Sequence, residues 1–256
     1  MRSTLKKSLK TGKVNIGSWL TVGHSSIAEI MVEAGFEWLV IDMEHSAITL
    51  NEAQSLIQVI GLSGRVPLVR VGENNPYLIK RVMDAGAHGV IVPMVNTKEE
   101  AINAVNSVKY PPRGRRGVGL ARAQKYGMGF EDYKEWVSSE SVVVVQIEHI
   151  DAVNNLEEIL EVDGVDATII GPYDLSASVG KPGCFEDNDV RKLLQQYENV
   201  SKKFNKPMGY HVIQPDYKLI CEKIDAGYTF IAFSLDTLFL GTSCREEMTK
   251  LKEETR

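Results

Sequence analysis

At 256 residues with 43% hydrophobic content, the chain can bury one large core, and its length fits a closed (β/α) barrel or two small domains. A formal charge of -5, from 29 basic and 34 acidic residues interspersed along the chain, excludes the basic footprint of a nucleic-acid binder. Three cysteines (Cys184, Cys221 and Cys244) stand far apart without zinc or CxxC spacing, which reads as reduced thiols in a cytoplasmic protein, and no apolar stretch approaches membrane-spanning length.

In chain order, residues 1–13 (MRSTLKKSLKTGK) carry five basic residues and no acid. A strand follows at once and there is no apolar segment, so a solvated amphipathic helix is expected here in preference to a targeting peptide. Residues 15–20 (NIGSWL) form a short strand. Residues 24–34 have helical spacing, with Ile27, Ile30 and Met31 on one face and Gly35 as the stop. Strand 38–42 (WLVID), helix 51–61, strand 66–71, helix 75–85, strand 89–93 and helix 97–108 continue the pattern. Residues 110–140 are read as one long irregular stretch, a length that in a compact domain is usually functional.

The fifth strand, residues 142–148 (VVVVQIE), has no alternation and opens on four β-branched residues, as a strand buried on both faces requires. Strands 165–171, 207–212 and 229–234 complete a count of eight. The joins share a cadence. Glu33-Ala34-Gly35, Asp84-Ala85-Gly86 and Asp225-Ala226-Gly227 each offer a glycine where the chain leaves a helix through a left-handed conformation. Eight strands alternating with helices predict a single-domain α/β fold over residues 1–256, a (β/α)8 TIM barrel. A doubly wound open sheet would need a glycine-rich turn after the first strand, and Thr21-Val22-Gly23-His24 is not one.

Barrel enzymes carry their chemistry at the C-terminal strand ends. Gln146 and Glu148, two apart, share a face of the fifth strand, and the sixth strand opens into Pro172-Tyr173-Asp174. Either the fifth strand simply surfaces there, or Glu148 and Asp174 converge with an amide as a hard-cation site suited to magnesium, manganese or cobalt. The same rim collects Asp42, Glu44 and His45, then Arg70, and later His211, Ser234 and Asp236. His211 is as readily a packing residue, and Asp236 reads as a helix cap. Together Asp42, His45, Arg70, Glu148 and Asp174 supply an acid-base group, a cation and a carboxylate pair, the set expected for proton transfer or carbon–carbon cleavage beside a carbonyl. No predicted strand ends in lysine, which disfavours a Schiff-base aldolase and favours a metal-stabilised enolate.

The segments LKTGKVNIGSWL, VIDMEHS, LVR, VPMVNTKEEA, YPPRGRRGVG, QIE and GPYDLSASVGKPG, in that order across residues 5–240, resemble the HpcH/HpaI aldolase/citrate lyase family. The resemblance is to its pyruvate-dependent class II aldolases, which cleave 4-hydroxy-2-oxo acids to pyruvate and an aldehyde. It implies a cytoplasmic lyase with a divalent metal on Glu148 and Asp174, and a homohexamer (a trimer of dimers) that exchanges C-terminal helices. It further implies that Gln146 lies beside the metal and Arg70 meets the keto oxygen. His45 is then the acid-base residue, assisted by Asp84 or Asp42, and the backbone of Gly171, Pro172 and Tyr173 receives the substrate carboxylate. Tyr173 stands where a small residue is common, which narrows the pocket or moves that contact. An acyl-CoA lyase and a non-catalytic 2-oxo-acid-binding barrel are the alternatives.

Overall fold

Eight parallel strands pair in sequence order and close on themselves, with no open edge. The structure, a computed structural model, describes residues 4–255. Its elements are α1 (Thr4–Lys10), β1 (Asn15–Leu20), α2 (Ser25–Glu33), β2 (Trp38–Asp42), α3 (Leu50–Leu62), β3 (Val66–Arg70), α4 (Pro76–Ala85), β4 (Gly89–Val92) and α5 (Lys98–Val108). A 3-10 turn (Arg122–Gly127) leads to α6 (Phe130–Ser139), β5 (Val142–Ile147), α7 (Ile150–Asn154), α8 (Leu156–Leu160), β6 (Ala167–Ile170), α9 (Pro172–Ser178), α10 (Asn188–Lys203), β7 (Met208–Val212), α11 (Tyr217–Asp225), β8 (Phe230–Leu235) and α12 (Asp236–Glu254). This is the (β/α)8 barrel, and the open sheet is excluded by the pairing of β1 with β8.

Strand alternation divides the apolar residues between two cores. Val142 and Val144 of β5 face the barrel interior with Trp19, Trp38, Ile169 and Phe230, whereas Val143 and Val145 face the helices. Trp38 stacks on Phe230 with ring centroids 4.2 Å apart. Gly17 makes room for that pair, because a Cβ there would lie 2.0 Å from the Trp38 ring. At the three expected helix exits, Gly35, Gly86 and Gly227 have φ of 99°, 104° and 99°. No Cβ-bearing residue adopts that conformation without strain.

Three expectations are corrected. The N-terminal helix is amphipathic but not simply solvated: Leu5 and Leu9 are buried in the interior core, and Lys6 bridges Ser141 O (2.9 Å) and Asp166 (2.9 Å). The part of that expectation falling on residues 1–3 lies outside the described residues. Residues 110–140 are not irregular throughout. Phe130, Tyr133, Trp136 and Val137 line one face of α6 and form a satellite core with Tyr110. Asp236 is not the cap of α12: the N-cap is Leu235, and the carboxylate of Asp236, the first helical residue, instead accepts from the N–H groups of Thr21 and Val22 (2.9 Å each) and so fastens the loop after β1. Among the described residues no helix is long and apolar enough to cross a membrane.

Candidate active site

The parallel register places Asp42, the last residue of β2, directly beside Arg70, the last of β3. Arg70 donates through Nε to Asp42 Oδ1 (2.9 Å) and through Nη2 to Oδ2 (2.7 Å), the bidentate fork that only a guanidinium makes. Its other face lies over the Trp19 ring at 4.3 Å, and Nη1 is 3.2 Å from Glu44 Oε2. Asp42 Oδ1 also accepts the backbone N–H groups of Glu44 and His45 (3.1 and 3.2 Å), so the same carboxylate shapes the loop that carries His45. Burial pushes the Asp42 carboxyl up, but Arg70 and these N–H bonds outweigh it and hold the group below the usual carboxylate range. Glu44 goes the other way: burial raises it, Arg70 offsets this in part, and the Glu148 charge adds to the rise. The His45 imidazole is exposed, with Nε2 3.7 Å from Glu44 Oε2.

Across the barrel mouth, Gln146 and Glu148 do share a face. Gln146 Nε2 donates to Glu148 Oε2, and Glu148 Oε1 accepts the Met94 N–H at 2.7 Å. Met94 has φ of 51°, a left-handed turn after β4 that aims this N–H at the carboxylate. Asp174 enters from the first turn of α9. Burial raises the Glu148 carboxyl; Met94 and Gln146 pull it down in part, and the Asp174 charge pushes it up again. Gly171 admits no side chain, because a Cβ would lie 2.9 Å from Glu148 Cβ and 3.0 Å from its Oε2.

Among the described residues no group of three or more His, Cys, Asp or Glu side chains could hold a metal ion. The two carboxylates and the Gln146 carbonyl nevertheless fit a hard divalent cation. Gln146 Oε1 is buried without a donor, and Glu148 is a buried carboxylate beside a second negative charge. Sites of this kind use one or two carboxylates and leave the remaining positions to water and substrate oxygens.

Of these groups, Arg70, Gln146 and Asp174 line a pocket of about 90 Å³ together with Trp19, Tyr173 and His211, and Glu148 adjoins it through its bond to Gln146. A larger cavity of about 530 Å³ lies at the opposite, N-terminal end of the barrel, beside Lys6 and Lys109, and holds none of the rim groups. Burial, then the Lys6 ammonium, push the Lys109 amine down to about 7. It is nonetheless bound to Val137 O and Ser141 O, behind the start of β5, so it is no Schiff-base lysine for this rim.

Within the turn after β6, the Gly171 N–H is already given to Ile147 O (3.0 Å) and Pro172 has none. Of the three residues expected to receive a carboxylate, Tyr173 alone brings a donor free of the strand ladder. Its ring is half exposed and meets Phe185 edge-on at 4.8 Å. Asp84 is not on this rim. It belongs to the last turn of α4, which runs back to the N-terminal end of the barrel, and it pairs with Arg116 at 2.5 Å. On one chain the carboxylate beside the His45 loop is Asp42. Sequence reasoning missed Trp19, the Met94 N–H and the contact of Glu44 with Arg70. Trp19 had a signal, since alternation from Gly17 turns it inward. The left-handed turn at Met94 had none.

The model of the HpcH/HpaI aldolase/citrate lyase family matches residues 15–240. A 2-keto-3-deoxy-L-rhamnonate aldolase from Klebsiella pneumoniae subsp. pneumoniae is 36% identical over 258 residues, covering 100% of this chain and 95% of that protein. One from Escherichia coli (strain K12) is 34% identical over 254 residues, covering 98% and 94%. Among solved structures, an HpcH/HpaI aldolase/citrate lyase family protein from Burkholderia cenocepacia J2315 superposes with a TM-score of 0.92 at 31% identity, covering 98% of this chain and 99% of that one. The HpcH/HpaI aldolase from Desulfitobacterium hafniense DCB-2 gives 0.90 at 31% identity, covering 97% and 96%.

Proposed function

The chain belongs to the HpcH/HpaI aldolase/citrate lyase family and is a carbon–carbon lyase of its class II, pyruvate-yielding aldolase type, and from that premise we propose that its substrate is a 2-keto-3-deoxy sugar acid, cleaved reversibly to pyruvate and a hydroxyaldehyde. The observation that supports this reading is one pocket lined by the locked Arg70 guanidinium, the Asp174 carboxylate and Gln146, whose Oε1 has no donor and whose Nε2 is bonded to the Glu148 carboxylate. The names of the relatives favour the sugar-acid class.

Class II aldolases of the family depend on a divalent cation. Glu148 and Asp174 would hold it, and magnesium, manganese and cobalt suit their oxygens. When bound, the ion supplies Lewis-acid polarisation of the 2-oxo group. The chain's own residues do the rest. Arg70, fixed by Asp42 and stacked on Trp19, presents its guanidinium to the 2-oxo oxygen. His45 removes the proton of the 4-hydroxyl, directly or through a water. As the C3–C4 bond breaks, its electron pair becomes the C2=C3 bond of the enolate and the carbonyl pair shifts onto the 2-oxo oxygen, where Arg70 meets the growing charge without reorganising. Return of a proton to C3 yields pyruvate. The Tyr173 N–H, beside Gly171 and Pro172, receives the carboxylate. The working form is a cytoplasmic hexamer with exchanged α12 helices, and the three free cysteines suit a reducing compartment.

The test is metal removal. Aldol cleavage, followed by coupled pyruvate assay, is expected to vanish in excess EDTA and to return with Mg²⁺, Mn²⁺ or Co²⁺. Full turnover in EDTA, or a lysine trapped by borohydride with pyruvate, would overturn the class II assignment.

A further inference from the structure

This mechanism gives no role to the His211 ring, which also lines the pocket. His211 is in β7, its ring centroid 5.3 Å from that of Trp19, the ring that also carries the Arg70 guanidinium. Its ring is held from one side, with Nε2 3.2 Å from the carbonyl oxygen of Ser234. That carbonyl is aimed by an unusual backbone: Ser234 has φ of 51°, left-handed for a residue with a Cβ. The turn is secured twice, by Ser234 Oγ donating to Ile213 O (2.8 Å) and by Ser18 Oγ lying 2.8 Å from Phe233 O and 3.2 Å from Ser234 O. Strain held in place by several bonds beside a site is a common sign of preorganisation.

The tautomer follows from the partner. A carbonyl oxygen only accepts, so the ring proton is assigned to Nε2, and Nδ1 is left with a bare lone pair. Among the described residues no donor of the protein meets Nδ1. Burial, against the Ser234 bond and aided by the Arg70 charge, pushes the imidazole down to about 4, so the ring is uncharged at neutral pH. Of the other polar side chains of the pocket, Arg70 faces the 2-oxo group, Gln146 and Asp174 face the cation, and the Tyr173 phenol stands on a half-exposed ring against Phe185. His211 remains a fixed, neutral acceptor, and the group that complements it is a substrate hydroxyl.

Which hydroxyl follows from the substrate class, and here the inference rests on the proposed function. A 2-keto-3-deoxy acid has no hydroxyl at C3, and its C4 hydroxyl is the one His45 deprotonates. We infer that His211 is a specificity-determining residue that accepts a hydrogen bond from a hydroxyl beyond C4, on the aldehyde half, so that the site takes 2-hydroxyaldehydes in preference to aldehydes lacking that group.

The experiment runs the reaction in the direction of synthesis, adding pyruvate to 2-hydroxypropanal or to propanal, and reads the ratio of the two kcat/KM values. The wild type is expected to favour the hydroxyaldehyde. His211→Leu should reduce that ratio by about tenfold, the worth of one neutral hydrogen bond. His211→Asn, whose Oδ1 can stand where Nδ1 stood, should keep most of it. A wild-type ratio near one overturns the inference whether or not the variants fold. So does a folded His211→Leu protein with the wild-type ratio. Exchange of the pyruvate methyl protons with solvent deuterium needs no aldehyde and tests the other half of the site. A wild type that neither exchanges nor condenses would refute the aldolase reading, whereas one that exchanges without discriminating would refute only the role of His211.

Discussion

Arg70 shows how one side chain is prepared for charge that does not yet exist. Two bonds to Asp42, the Trp19 face and the Glu44 carboxylate leave it no other orientation. An interaction that strengthens as charge develops affects rate more than ground-state binding. Arg70→Lys, which keeps the charge and loses the fork, is expected to lower kcat about 100-fold, in the range of one lost oxyanion donor. Pyruvate affinity should change far less, and methyl-proton exchange should slow with kcat; equal losses in KM and kcat/KM with unchanged kcat would assign Arg70 to binding alone. His45→Ala is expected to cost roughly 10²–10⁴ in kcat for cleavage while metal affinity, read by titration, stays near wild type. Loss of metal binding in that variant would contradict the role. The sequence made Arg70 and His45 legible because strand-end position alone brings them to the rim. Glu44 was seen on the rim but not as an anchor of Arg70, since that contact depends on how a loop folds back over the neighbouring strand.

At the scale of elements, periodicity was a good guide wherever one face meets a core, and poor where a helix is short or charged. Strand β5 was readable from four valines in a row. Helix α6 was read as loop because Glu131, Asp132, Lys134 and Glu135 crowd its first two turns and mask an apolar face of four residues. Asp84 lies away from the rim of its own chain for a different reason: a barrel helix runs antiparallel to its strand, so its last turn lies at the opposite end from the rim. The same geometry makes α1 a structural element. Lys6 is nearly buried and ties α1 to Asp166 and to Ser141 O. Replacing it with methionine leaves Asp166 buried without its cation, and breaking a buried pair from one side costs about 3 kcal/mol. Urea unfolding of Lys6→Met should show that loss as a lower midpoint with an unchanged slope. A midpoint within experimental error of wild type would mean that α1 is not fastened by this pair.

On the scale of the whole molecule, closure of the barrel gathers the rim charges at one end and leaves one element unaccounted for. Helix α12 is 19 residues long, yet Asp236 is its only buried residue, and Leu240, Met248 and Leu251 stand exposed along it. Phe239, near its start, still packs against the barrel core. The rest projects beyond the fold. A helix of this length keeps little helicity in water on its own, so most of its stability must come from packing. The resemblance read from the sequence implies exchange of C-terminal helices between subunits, and an outer turn bearing Met248 and Leu251 is what such an exchange would cover. Light scattering of the intact chain should then give the mass of six subunits. A chain ending at Thr242, which keeps Phe239 and Asp236, should give a smaller assembly while its barrel stays folded by circular dichroism. Should the shortened chain keep the mass of the intact one, α12 is not the joint between subunits, and the apolar residues on its outer turns need another explanation.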